Sequence, residues 1–329
     1  MRISLNSAVE IDYTEVGYGH AANQMYRSLL QLGHQVILEN DTAPIQFHWK
    51  QPHLLGFPNI RLHNILYFPW ESTKLKKGWL EVCESNKVDE IWTTSDWCKN
   101  IFIENGITKP IKVYPHGITS AWSPRKRRRN GPVKFLIVDA EANRKGWQEA
   151  FDAFRAVFKD DPRKATLTIK TRQRCMARWF DQNNRVRSPA ELPNVNINIS
   201  RLSNDEMVQL YQDHDVMINP SYGEGFGFIP FQMLATGGIT ITTAAWAHYR
   251  DYLGDMKLRS KYVHTKWEGE HPGDVCQPDQ QHLEELIRLA YDDFDNQADY
   301  FFKNSFKLHE EYDWLNLTKT AFEDLKKKF

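Results

Sequence analysis
Apolar positions along this chain fall into two alternating rhythms: short runs of β-branched and aromatic residues, and longer stretches with apolar side chains three or four apart. Arg2 to Leu5 reads as a strand, followed by the polar, glycine-containing segment Glu15-Val-Gly-Tyr-Gly-His20. A helix is predicted from about Ala21 to Leu32, with Met25, Leu29 and Leu32 at i, i+4, i+7. Gly33 closes it, and Gln35 to Glu39 begins the next strand. Further strands are predicted at Ile45 to Trp49, Ile60 to Phe68, Val88 to Thr94 and Ile111 to Tyr114, with helices near Lys77 to Ser85 and Trp97 to Asn105.

The pattern breaks between Thr119 and Pro132, where SAWSPRKRRRNGP combines prolines, a glycine and a basic run without apolar periodicity. It restarts with strands at Val133 to Val138, Ala165 to Lys170, Val195 to Ile199, Val216 to Asn219 and Ile239 to Thr243, and with helices at Trp147 to Phe158 and Asp205 to Tyr211. From about Gln280 onward the pattern is helical, with Leu283, Leu286, Ile287 and Ala290 on one stripe and Trp314, Leu317, Ala321 and Leu325 on another. Two separate strand–helix alternations predict an α/β protein with two doubly wound, parallel, Rossmann-like sheets. The 329 residues suit two cores of ordinary size, and two domains make a cleft.

Composition narrows the function classes. With 42 basic and 42 acidic residues, no global field draws the chain to nucleic acid or an anionic membrane. Cys83, Cys98, Cys175 and Cys276 form no C-x-x-C pair, which argues against a zinc site or a disulfide framework and suits a reducing cytoplasm. No apolar run reaches the ~18 residues of a membrane span, and the N-terminus lacks a signal-length apolar run. The expectation is a cytoplasmic protein, at most peripheral to a membrane.

Candidate chemistry concentrates in Asn219-Pro-Ser-Tyr-Gly-Glu-Gly-Phe-Gly-Phe-Ile-Pro-Phe-Gln-Met-Leu-Ala-Thr-Gly-Gly238. Gly225 and Gly227 allow close backbone approach of a ligand, and the helix start that follows offers unpaired N–H groups suited to a diphosphate. Pro230 fits only in that first turn. Glu224 and Gln232 bracket the turn, so both can face a ligand. An isolated G-x-G is more often just a tight β–α connection.

The stretch resembles the donor-site signature of retaining glycosyltransferases of the GT-B fold, especially glycosyltransferase family 4. The resemblance implies that Glu224 contacts hydroxyls of the transferred sugar, that Gly225, Phe226, Gly227 and Phe228 face the diphosphate, and that position 232 binds the ribose, with Gln in place of the family's Glu. Asp89-Glu-Ile-Trp-Thr-Thr-Ser95 and Val113-Tyr-Pro-His-Gly-Ile118 resemble the end of the family's first domain, and Leu136-Ile-Val-Asp-Ala with Asn143-Arg-Lys-Gly146 the start of its second. Arg144, Lys145, Lys170 and Arg172 match the basic residues that grip donor phosphates, where cations stabilise a departing diphosphate. Gly17 and Gly19 match the glycine loop near phosphate and acceptor. The resemblance also assigns residues 1–118 and 313–329 to an acceptor-side domain, 119–132 to a hinge and 133–312 to a donor domain.

His20 is then a candidate for acceptor or phosphate contact against an exposed loop histidine, while His116 reads as structural. Glu71, at a carboxyl strand edge, is a candidate for acceptor orientation or base assistance against a surface carboxylate. Asp293-Phe-Asp295 has the D-x-D spacing of metal-dependent sugar transferases but falls in a helical segment, so no metal and no cofactor beyond a nucleoside diphosphate sugar is expected. Arg125-Lys-Arg-Arg-Arg129 reads as a solvated linker or as a site for a polyanion. The implied acceptor is a polysaccharide, a glycolipid or other lipid-linked glycan, or a modified nucleobase in DNA. An inactive nucleotide-sugar-binding module and a nucleotide-sugar epimerase are the competing readings.

Overall fold
A computed structural model describes residues 1–8, 17–39, 42–138, 143–171, 179–180 and 185–328. In the first half, β1 (Arg2–Ser7), α1 (Gly17–Gln31), β2 (Gln35–Leu38), β3 (Ile45–Trp49), β4 (His63–Tyr67), α2 (Trp79–Glu84), β5 (Glu90–Thr93), α3 (Asp96–Glu104) and β6 (Ile111–Val113) build one parallel sheet. Its order is β2-β1-β3-β4-β5-β6. Strand β4 is buried on both faces: Ile65 and Tyr67 enter a core with Ala22, Met25 and Leu29 of α1, and Leu66 enters a core with Trp79, Ile101 and Phe102 of α2 and α3. Apolar side chains on both faces are the mark of a parallel sheet covered by helices.

The second half contains β7 (Val133–Val138), α4 (Trp147–Phe158), β8 (Ala165–Lys170), a short antiparallel pair β9 (Trp179–Phe180) and β10 (Val186–Arg187), β11 (Val195–Asn198), α5 (Asn204–Gln212), β12 (Val216–Asn219), α6 (Phe228–Ala235), β13 (Ile239–Thr243) and β14 (Lys257–Leu258). The sheet runs β11-β8-β7-β12-β13-β14, again parallel, with its strand-order reversal between β7 and β12. An antiparallel hairpin, β15 (Ser260–His264) and β16 (Asp274–Pro278), precedes three helices, α7 (Gln280–Asp292), α8 (Phe294–Glu311) and α9 (Trp314–Lys326). Helix α9 packs on the first sheet, where Trp314, Phe322 and Leu325 share a core with Leu5 and Phe47. The chain passes between the halves twice, and the crossings are tied by Ile118 N–H donating to Tyr312 O at 2.8 Å.

Several local expectations change. Gly17–His20, read as a loop, is the first turn of α1, and a Cβ at Gly17 would come within 3.3 Å of Phe228, so close tertiary packing overrides glycine's low helix propensity. The strand expected from Ile60 starts at His63, because Asn59 Oδ1 accepts from Arg61 N and forms a turn. The hairpin β15–β16 was not anticipated at all. Asp293 sits at the junction of α7 and α8, where Asn296 and Gln297 side chains donate to it at 2.6 and 2.9 Å.

The basic run departs most from a solvated linker. Arg125 pairs with Asp213, Lys126 with Asp299, and the Arg129 guanidinium lies over the Tyr291 ring. Arg127 is buried and donates to Tyr211 O in the last turn of α5, to His214 O just beyond it, and to Thr236 O and Oγ1 at the end of α6. One guanidinium thus satisfies the carbonyl ends of two helices, where the helix dipoles favour a cation. Arg127→Ala should lower unfolding free energy by about 3 kcal/mol in urea denaturation, and Arg127→Lys should recover less than half, since one ammonium cannot span both ends.

Candidate functional site
The carboxyl edges of the two sheets face each other across a cavity of about 800 Å³, lined on one side by Tyr18, His20, Gln24 and Glu71 and on the other by Lys145, Lys170, Glu224, Phe228 and Gln232. Doubly wound sheets bind ligands at this edge. Gly227, at φ +82°, caps the start of α6, and a Cβ there would fall 2.6 Å from Trp246. Tyr249 OH donates to Gly227 O at 2.7 Å and Trp246 Nε1 to Ser221 O at 3.0 Å, which fixes the turn from behind. The first N–H groups of such a helix have no intrahelical partner and suit an anion.

Arg144 and Lys145 occupy a single 3₁₀ turn ahead of α4, held at Gly146, whose positive φ and 2.2 Å Cβ-to-Pro220 O approach admit only glycine. Lys145 Nζ donates to Glu224 Oε1 at 2.8 Å, and Ser221 Oγ donates to the same oxygen at 2.9 Å. Arg144 lies 3.7 Å from Glu224, 3.9 Å from Glu71 and donates to Gly223 O. Lys170, at the end of β8, donates to Thr171 O and Ser200 O at 3.1 and 2.9 Å. Arg172 lies outside the described residues.

Two carboxyls in one site are pushed apart. Burial raises Glu224, but Lys145 and Arg144 outweigh it and hold the group below 4.5 as a carboxylate. At Glu71 burial prevails over Arg144, and the negative Glu224 adds to it, so this carboxyl is raised. Opposite shifts in neighbouring carboxyls are how sites separate an anion from a group able to hold a proton.

Gly225 meets the other domain. A Cβ there would stand 2.2 Å from Pro69 Cβ, and Gly225 O accepts from Thr94 Oγ1 at 2.6 Å, Ser95 Oγ at 2.9 Å and Cys98 Sγ at 3.4 Å. Gly223 abuts Glu71 O in the same way. Of the two glycines read from sequence as ligand-approach residues, Gly225 docks this turn on the first domain, while Gly227 packs against Trp246 and Tyr249 behind it. Gly19 is buried in α1, Phe226 packs edge-on to His116, and Gln232 is partly exposed on α6.

His20 stands edge-on to Phe228, while His116 is stacked on it at 4.5 Å. Sequence reasoning missed Ser221, although it lies inside the motif, and missed His271, which reaches Glu71 at 3.7 Å from the β15–β16 connection. Nothing in the chain pattern links positions 200 residues apart.

Burial lowers the His20 and His271 imidazoles from 6.5 to about 4, and lowers His116 well below 6.5. These rings stay neutral in the fold while the unfolded chain takes up protons near pH 6.5, so stability is lost as pH falls from about 6.5 toward 4. Each group contributes at most about 1.4 kcal/mol per pH unit in that window. Urea midpoints at pH 7 and 5 should show this loss, and a His20→Asn/His271→Asn variant should flatten it.

No protein-family model matches the sequence, and no curated protein matches it. Solved structures do. The sucrose-phosphate synthase of Thermosynechococcus elongatus superposes with TM-score 0.70 at 12% identity, covering 100% of this chain and 99% of that one. Anabaena HepE, solved in complex with UDP and glucose, gives TM-score 0.66 at 14% identity over 99% of this chain and 100% of that one. WaaG, a glycosyltransferase involved in lipopolysaccharide biosynthesis, gives 0.58 at 14% over 97% and 98%. The architecture is GT-B: two Rossmann-like domains facing across a cleft. No helix among the described residues is long and apolar enough to cross a membrane.

Proposed function
We propose that this chain is a retaining glycosyltransferase, similar to family 4, that moves a hexose from a nucleoside diphosphate sugar to an acceptor hydroxyl without a metal. One observation carries the reading: Lys145, Arg144 and the start of α6 converge beside an ionised Glu224 in a cavity closed by a second domain. The structural likeness to the glycosyltransferase WaaG, and to HepE, which holds UDP and glucose, supports it.

Lys145, held by its bond to Glu224 Oε1, brings a fixed positive charge to the side of the cavity where a phosphate oxygen would lie. As the bond from the sugar carbon to the diphosphate oxygen breaks, charge grows on that oxygen, and fixed cations and helix N–H groups stabilise it more than the ground state. Glu224 accepts from hydroxyls of the transferred sugar. The acceptor oxygen bonds to the same face of the sugar carbon, and its proton passes to the departing phosphate oxygen. Glu71 orients the acceptor, and Gln232 reaches the ribose. The buried free thiols Cys83, Cys98 and Cys276 suit a reducing, cytoplasmic setting.

Thermal unfolding with a panel of nucleoside diphosphates and their sugars tests this. A ligand at 100 times its Kd adds about 2.7 kcal/mol. Stabilisation by at least one diphosphate is expected; no shift with any of them would sink the proposal.

A further inference from the structure
The cavity walls differ in charge. On the second-domain wall stand Lys145, Lys170 and Arg201. Across from them, the first-domain wall presents Tyr18, His20, Gln24 and Glu71, and no Lys or Arg among the described residues. The sequence between β1 and α1, Val9-Glu-Ile-Asp-Tyr-Thr-Glu-Val16, contains no basic residue either. Lys50, which follows β3, is turned to Glu39 at 3.7 Å; Lys76 lies over the rings of Trp70 and Trp79 outside the cavity lining, and its charge, like those of Arg144 and Lys145, acts on Glu71. His20 stays neutral through burial, and His271 faces the Glu71 carboxyl. Arg172, Arg174 and Arg178 lie outside the described residues.

An anion entering a buried cavity needs a cation or an array of donors on the wall it meets. We infer that the acceptor is an uncharged polyhydroxyl compound, a free sugar or the end of a neutral glycan, rather than a sugar phosphate. This rests on the glycosyl-transfer reading and deepens it. The fold likeness to sucrose-phosphate synthase, at 12% identity, does not bear on it, because side chains and not the fold read the charge of an acceptor.

The test uses the nucleoside diphosphate that stabilises the protein most. Glucose, fructose, galactose and N-acetylglucosamine are each compared with their 6-phosphates, first by further thermal stabilisation of the diphosphate complex and then by diphosphate release from the nucleotide sugar. In at least one pair the neutral sugar should exceed its phosphate by about 100-fold in apparent affinity or kcat/KM. A phosphorylated partner that matches or exceeds its parent in every pair, including no response from either, overturns the inference. Loss of the donor reading is separate, since it requires that no diphosphate alone stabilises the protein. A Gln24→Lys variant, which adds a cation to the α1 wall, should raise the response to the 6-phosphates about tenfold, and no gain would likewise count against a wall that selects by charge.

Discussion
Lys145→Ala is expected to reduce kcat by about 10²–10³-fold at saturating donor, the loss typical of removing one preorganised charge donor from a developing oxyanion. On the proposed reading the effect should fall on kcat more than on KM, because the charge Lys145 would meet grows as the diphosphate departs. A second consequence separates this role from simple packing. Glu224 is held down by Lys145 and Arg144 against its burial, so without Lys145 its protonation should move upward. The acid limb of the pH–rate profile then shifts to higher pH. Steady-state kinetics from pH 5 to 8 reads both effects, and unchanged kcat with an unmoved acid limb would remove Lys145 from leaving-group stabilisation.

Gly225→Ala should cost about 10²-fold or more in kcat/KM by a different route. The new Cβ would lie 2.2 Å from Pro69 Cβ and 3.1 Å from Trp70 N, so the Gly223–Gly227 turn cannot seat on the first domain. The bonds from Thr94, Ser95 and Cys98 to Gly225 O are lost with it. Diphosphate binding should survive, since Lys145, Lys170 and the start of α6 all belong to the second domain. Calorimetric titration beside kinetics distinguishes the cases: near-normal diphosphate affinity with poor turnover is expected, and wild-type kcat/KM would show that docking through Gly225 is dispensable.

Much of the fold was legible because both sheets are buried on two faces and write themselves as short apolar runs between amphipathic helices. The turn at Glu224 to Phe228 was legible for a related reason, since its glycines, proline and carboxylate lie within a few residues of one another. Three features were hidden by their physics. Gly17 looks like a loop residue until Phe228 is placed against it. Arg127 looks solvated in a basic run, yet its partners are carbonyls at the ends of two helices, and carbonyls carry no sequence signature. The β15–β16 hairpin has exposed positions at Lys261, Tyr262 and His264 and only a brief apolar run. Its partners are distant in the chain and largely backbone, with Thr73 N–H donating to Asp274 O at 3.0 Å and Cys276 N–H to Tyr222 O at 2.7 Å.

The return of α9 to the first sheet orders events during synthesis. Trp314, Phe322 and Leu325 complete a core whose strands leave the ribosome before the whole second domain is made. The second domain can therefore close on itself while the first still exposes the Leu5 and Phe47 face, and domains generally fold as units during translation. The first-made lobe is the last to be finished.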